Sequence, residues 1–114
     1  MAYLDRAQGD EPQFDEATAA GLVGKYVLIG ITTVDSRGDM KSRRQLHGRI
    51  VAADANRGIQ LKLEGKRRGE DYTLPPDTGA FAPAEPGKYQ LLETGEQVDD
   101  PDFTSTWQIT RLDA

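Results

Sequence analysis

LHGRIVAADANRGIQLKL, residues 46–63, alternates apolar and polar positions in two runs joined by a tight polar turn, Asp54-Ala55-Asn56-Arg57-Gly58. Leu46, Ile50 and Ala52 fall on one face of the first run; Ile59, Leu61 and Leu63 fall on one face of the second. His47, Arg49, Gln60, Lys62 and Glu64 point the other way. Period-two alternation of this length predicts a half-buried antiparallel hairpin. Gly48, mid-strand on the inward face, predicts a sharp bend or a close approach of two backbones.

Upstream, Lys25–Val34 (KYVLIGITTV) reads as a strand with apolar residues on both faces, as expected where both faces are covered. A turn at Asp35-Ser36-Arg37-Gly38-Asp39 leads to a long second strand, Met40–Asp54. Asp15 is placed to cap a short helix over Glu16–Ala20, with Gly21 ending it. Residues 1–13 lack periodicity and read as a flexible tail, leaving 14–114 as a single domain. Downstream, Gly58–Glu64 and Glu70–Leu74 read as strands on either side of a cationic tip, Gly65-Lys66-Arg67-Arg68-Gly69. Pro75–Gly87 holds four of the six prolines and reads as a loop, with a helical turn at Ala80-Phe81-Ala82 that docks Phe81. Lys88–Leu92 and Thr104–Leu112 complete the strands, and Trp107 and Ile109 are expected inward. Five or six strands with one short helix predict an all-β, small, partly open barrel.

At 114 residues the chain suffices for one domain with a real core. The absence of cysteine excludes disulfides and thiolate chemistry and fits a reducing, cytoplasmic setting. The first residues lack the apolar core of a signal peptide, and no stretch approaches the ~20 apolar residues of a membrane span. The formal net charge is −5, unevenly spread. Residues 41–71 carry nine basic against four acidic side chains, whereas 1–20 and 93–114 are net acidic.

Leu22-Val23-Gly24-Lys25 after a short helix, then a strand, a turn and the 46–63 hairpin resemble the first half of an Sm-like or SH3-like barrel. In Sm-like proteins the loop after the second strand carries an Asp-x-x-x-Asn element that lines an RNA-base pocket. Here Asp54 and Asn56 stand only two apart, a departure from that pattern. Across about residues 22–110, GKYVLIGIT, QLHGRIV, YTLPPD, EPGKYQL and PDFTSTW together resemble a small, widespread bacterial domain family of uncharacterised function. That resemblance implies no activity and no catalytic residue.

His47 is the sole histidine, and no sequence neighbour supplies the carboxylate and nucleophile that a general base needs. It reads as an outward-facing strand residue. With no second histidine and no cysteine, no transition-metal site or cofactor is expected. Asp99, Asp100 and Asp102 lack the glycine and distal glutamate of an EF-hand loop and read as a solvated acidic loop.

The basic centre supports two expectations of different class. The first is a non-enzymatic binding module acting by protein–protein contact, self-association included, through the edge strand an open barrel leaves unpaired. The second is RNA binding on an Sm-like surface through Arg43, Arg44, Arg49, Lys62, Arg67 and Arg68.

Overall fold

The computed structural model describes residues 2–6, 13–92 and 94–111. Along them run β1 (Ala2–Arg6), α1 (Glu16–Leu22), β2 (Tyr26–Val34), β3 (Met40–Asp54), β4 (Gly58–Leu63), β5 (Asp71–Leu74), β6 (Phe81–Pro83), β7 (Lys88–Gln90), β8 (Gln97–Asp99) and β9 (Phe103–Arg111). Single 3-10 turns lie at Gly65–Arg67 and Thr78–Ala80. The chain is mostly β with one short helix, as the alternation predicted. One sheet runs β1-β9-β2-β3-β4-β5, with β6 also against β9, while β7 and β8 pair with each other. Among the described residues nothing joins β5 back to β1, so the sheet is open.

β3 and β4 form the expected hairpin, with Gly48 opposite Leu63 and Ile50 opposite Leu61. Its turn is organised by Asp54, whose carboxylate accepts from the backbone N–H groups of Asn56 (2.7 Å) and Arg57 (3.0 Å). Those bonds, Arg57 first, hold the Asp54 carboxyl below its ordinary range. Ile59, Leu61, Leu63, Leu46 and Ile50 all enter the core. Ala52 does not take the inward place expected of it. The register slips between Ile50 and Ala52, and Ala53 packs on the core instead. Val51, the extra residue, is exposed, and the inserted residue reverses the faces beyond it.

Gly48 is a close backbone approach. A Cβ there would stand 2.8 Å from the Leu63 Cα and closer still to the Lys62 carbonyl oxygen. Only a residue without a side chain allows β3 and β4 to meet at this point.

Two features depart from the sequence reading in topology. The strand expected to close the sheet, β9, lies inside it, between β1 and β2, and runs parallel to β2 with Ile31 opposite Trp107. Parallel neighbours need a long crossover, and here everything from β3 to β8 supplies it. The proline-rich loop also contributes a strand, since β6 pairs with β9 from Phe81 to Pro83. Its helical turn lies earlier than expected, at Thr78–Ala80. A three-residue strand beside β9 tolerates the proline at its end. Phe81 meets Trp107 edge-on at 6.5 Å. The Trp107 indole N–H donates to Ser105 Oγ (2.7 Å), whose hydroxyl donates to the Ala80 carbonyl (2.9 Å).

At the amino-terminal side, Asp15 caps α1 as expected by accepting from the Thr18 N–H (2.8 Å). The helix runs one residue past Gly21 and so delivers Leu22 to the core. The left-handed residue that follows is Gly24, at φ 87°. Residues 2–6 belong to the segment read as a tail, yet they form β1 against the far half of β9. The free flank of β9 recruits them, which no periodicity in so short a run announces. Gln13, the last residue of that segment, accepts from the Thr78 N–H (2.8 Å) and donates to Asp77 (3.3 Å), and residues 1 and 7–12 lie outside the described residues.

Gly48→Ala is expected to lower stability by roughly 1–3 kcal/mol, because the added methyl forces β3 and β4 apart. Urea denaturation followed by circular dichroism checks it.

Candidate functional site

β3 outruns both of its neighbours. β2 pairs with it from Met40 to Arg49, and β4 begins only at Gly48. Beyond Leu63 the chain turns away, its last tie to β3 being the Glu64 N–H on the His47 carbonyl (2.9 Å). The β7–β8 hairpin lies over the sheet here. Its Leu92 N–H donates to Gln45 Oε1 (2.8 Å), and just after it Asp102 accepts from the Tyr26 N–H through its carboxylate (2.9 Å) and donates its own N–H to the Tyr26 carbonyl (2.8 Å). Leu91 and Val98 are buried apart from the main core. The hairpin and Asp102 after it therefore meet the sheet at Gln45, His47 and the Tyr26 end of β2. Between it, β3 and the Gly65–Arg67 turn lies a cavity of about 370 Å³ lined by Gln45, His47, Lys66, Arg67, Thr94 and Glu96 among others.

His47 is the centre of this notch and is only 7% exposed, which corrects its reading as an outward-facing residue. Its Nε2 lies 3.3 Å from Glu96 Oε2, and its Nδ1 lies 2.6 Å from the Tyr26 hydroxyl. An ionised carboxylate only accepts, so in the neutral ring Nε2–H donates to Glu96 and Nδ1 accepts the Tyr26 proton. Glu96 also accepts from the Lys66 N–H (2.9 Å). Burial works to raise the Glu96 carboxyl, but bonds from Lys66, Thr94 and His47 outweigh it and hold the group below its ordinary 4.5. Burial, assisted by the charge on Glu64, pushes the Tyr26 hydroxyl above its ordinary range against the pull of Arg49. The Arg49 guanidinium sits 5.3 Å from the Tyr26 ring centre and donates to the Gly24 carbonyl (3.2 Å).

Sequence reasoning missed Tyr26 and Glu96 as partners of His47 because they lie 21 and 49 residues away. One signal was present in Gly65. It holds φ 72°, and a Cβ on it would stand 2.5 Å from His47 Nε2 and run into Glu96 Oε2. Gly65, at the start of the cationic tip, is thus a place of close approach as well as turn punctuation. Both ring nitrogens of His47 are engaged, so the trio works as a clamp that holds the β7–β8 hairpin on β3.

The six basic residues singled out from the sequence do not form one surface. Arg43 and Arg49 share a face with Lys62, while Arg44 falls on the opposite face, across from Ile31. Three are paired at close range: Arg49 with Glu64 (3.7 Å), Lys62 with Asp71 (2.5 Å) and Arg67 with Glu70 (3.4 Å). Arg68 is exposed on the turn. Arg44 and Arg67 both lie near enough to Tyr72 to oppose the upward push of burial on its hydroxyl.

The acids of this loop likewise have partners within the chain. Asp100 accepts from the Gly87 N–H (2.7 Å), Asp102 accepts from the Tyr26 N–H (2.9 Å), and Asp99 accepts from the Gln97 amide (2.9 Å). No cluster able to hold a metal ion occurs among the described residues.

Two measurements test the clamp. Gly69, at φ 89° with open space around it, controls for backbone strain alone. Gly69→Ala is expected to cost about 1–2 kcal/mol and Gly65→Ala about 2–4 kcal/mol, the excess being the collision with His47 and Glu96. The lowered Glu96 carboxyl stabilises the fold above its unfolded-state value, and that contribution is lost as pH falls through the lower folded value. The gap in urea midpoint between wild type and Glu96→Gln is therefore expected to be constant near neutrality and to close as pH falls below about 4.5. A gap that does not change with pH would show that the Glu96 charge is not what holds the hairpin.

No helix among the described residues is long and apolar enough to cross a membrane. No family model, curated protein or solved structure matches the chain.

Proposed function

We propose that this chain is a non-enzymatic binding module that accepts an extended segment of another protein as an added strand. The free edge of β3 carries this reading. From Met40 to Leu46 the strand is bonded to β2 on one side and has no strand on the other among the described residues. Such an edge presents main-chain donors and acceptors at strand spacing, a template for β-augmentation. Residues 40–43 are exposed, and Leu92, 88% exposed, is held beside the edge by its bond to Gln45. An apolar side chain left in water at the margin of an unpaired edge suits a contact surface.

The SH3-like or Sm-like character of the barrel belongs to the same proposal. What supports it is the order of helix, β2, the long bent β3, and the β4–β5 meander; the parallel β9 is an addition to that pattern. The RNA reading draws less support, because its basic residues fall on two faces and half of them are neutralised by neighbouring carboxylates. Asp54, moreover, is committed to its own turn.

Hydrogen exchange by mass spectrometry against a panel of extended peptides of mixed sequence tests the proposal. Binding peptides are expected to slow exchange over 40–47 and leave 58–63 unchanged. If no peptide slows exchange over 40–47, the strand-addition reading fails. If single-stranded RNA binds with affinity falling steeply in salt, the RNA reading replaces it.

A further inference from the structure

We infer that the free edge of β3 selects extended segments carrying two consecutive acidic residues; the inference rests on the strand-addition reading above. In the ladder with β2, Arg43 stands opposite Thr32 and Arg44 opposite Ile31. Residues directly across an antiparallel ladder share a face, and successive residues alternate between faces. Arg44 therefore lies on the face of the buried Ile31, and Arg43 lies on the other face with Gln45 and His47.

Charge pairing within the protein leaves these two arginines available. Lys41 is beside Asp35 (3.7 Å), and Arg49, Lys62 and Arg67 each have a carboxylate of their own. Among the described residues no carboxylate pairs with Arg43 or Arg44, and the Arg43 guanidinium touches the Met40 sulfur at 3.8 Å. A strand laid along β3 puts one residue opposite Arg43 and the next opposite Arg44, on opposite faces. Two adjacent carboxylates thus meet two guanidinium groups directly across the ladder. Two carboxylates separated by one residue stay on a single face and meet only one of these arginines.

The same geometry disfavours a second copy of β3 as the occupant. Two such edges would set Lys41, Arg43 and Arg44 against one another, and like charges directly opposite destabilise a ladder. The occupant is a segment of a different protein with an acidic doublet in an extended stretch.

The test uses the full chain and labelled ten-residue Thr/Val peptides whose centres read Glu-Glu, Glu-Thr-Glu or Lys-Lys, with binding read by fluorescence anisotropy. The Glu-Glu peptide is expected to bind roughly threefold to fivefold tighter than Glu-Thr-Glu, with Lys-Lys weakest. Arg43→Gln and Arg44→Gln should each remove that preference, and Arg43→Glu/Arg44→Glu should reverse the order in favour of Lys-Lys. The single glutamine variants keep the test decisive if the double reversal fails to fold. Equal binding of the three peptides, with exchange over 40–47 still slowed, overturns the acidic selectivity and leaves strand addition standing. Absence of both binding and protection overturns the two together. A dimer of the protein alone that Arg43→Gln dissolves, seen by sedimentation, overturns the assignment by making a second copy the occupant.

Discussion

A strand of fifteen residues cannot be matched along both edges by neighbours of nine and six, and the rest of this molecule follows from that inequality. β3 gives its first part to β2 and its last part to β4, and it makes the exchange at Gly48, where the β4 backbone comes too close for any side chain. One consequence is a core built from both parts, with Leu46 before the exchange and Ile50 after it. Another is the length of β3 that β4 never reaches. A third is the notch where the two strands diverge, which the β7–β8 hairpin covers and His47, Tyr26 and Glu96 hold shut on one side.

The charge pattern acquires a different meaning in three dimensions. A basic centre between acidic ends suggests attraction between distant parts of the chain. The pairs that form are mostly local or cross-strand: Lys41 with Asp35, Arg49 with Glu64, Lys62 with Asp71, and Arg67 with Glu70. Exposed pairs of this kind contribute little stability, but they settle which cations are already matched. Asp100 and Asp102 are used to hold backbone N–H groups, and Asp102 thereby fixes the start of β2.

What was legible in the sequence was what short-range periodicity encodes. The 46–63 hairpin, the inward set Ile59, Leu61 and Leu63, the Asp15 cap and the buried Trp107 each follow from a local rule. The misreadings have physical causes outside that range. Ala52 and Ala53 exchange roles because a bulge is a single extra residue with no composition of its own. The burial of His47 depends on Glu96, which arrives from a separate hairpin, so no pattern around His47 could announce it. The parallel seat of β9 is a decision of topology, and alternation in TSTWQITRL is the same whichever neighbour the strand takes.

That seat also governs the order in which the molecule can be assembled. β2 meets β3 across one short turn, but its other flank waits for a strand far along the chain; 76 residues separate Tyr26 from the Asp102 that bonds to it. Pairings of such long range are slow to form, since the loop must close before any contact offsets its entropy. During that interval the apolar face of β2 and its unfilled flank are open to water and to other nascent chains. The β2–β3–β4–β5 meander is then the early, local part of the fold, and the arrival of Trp107 opposite Ile31 and against Phe81 is the late step.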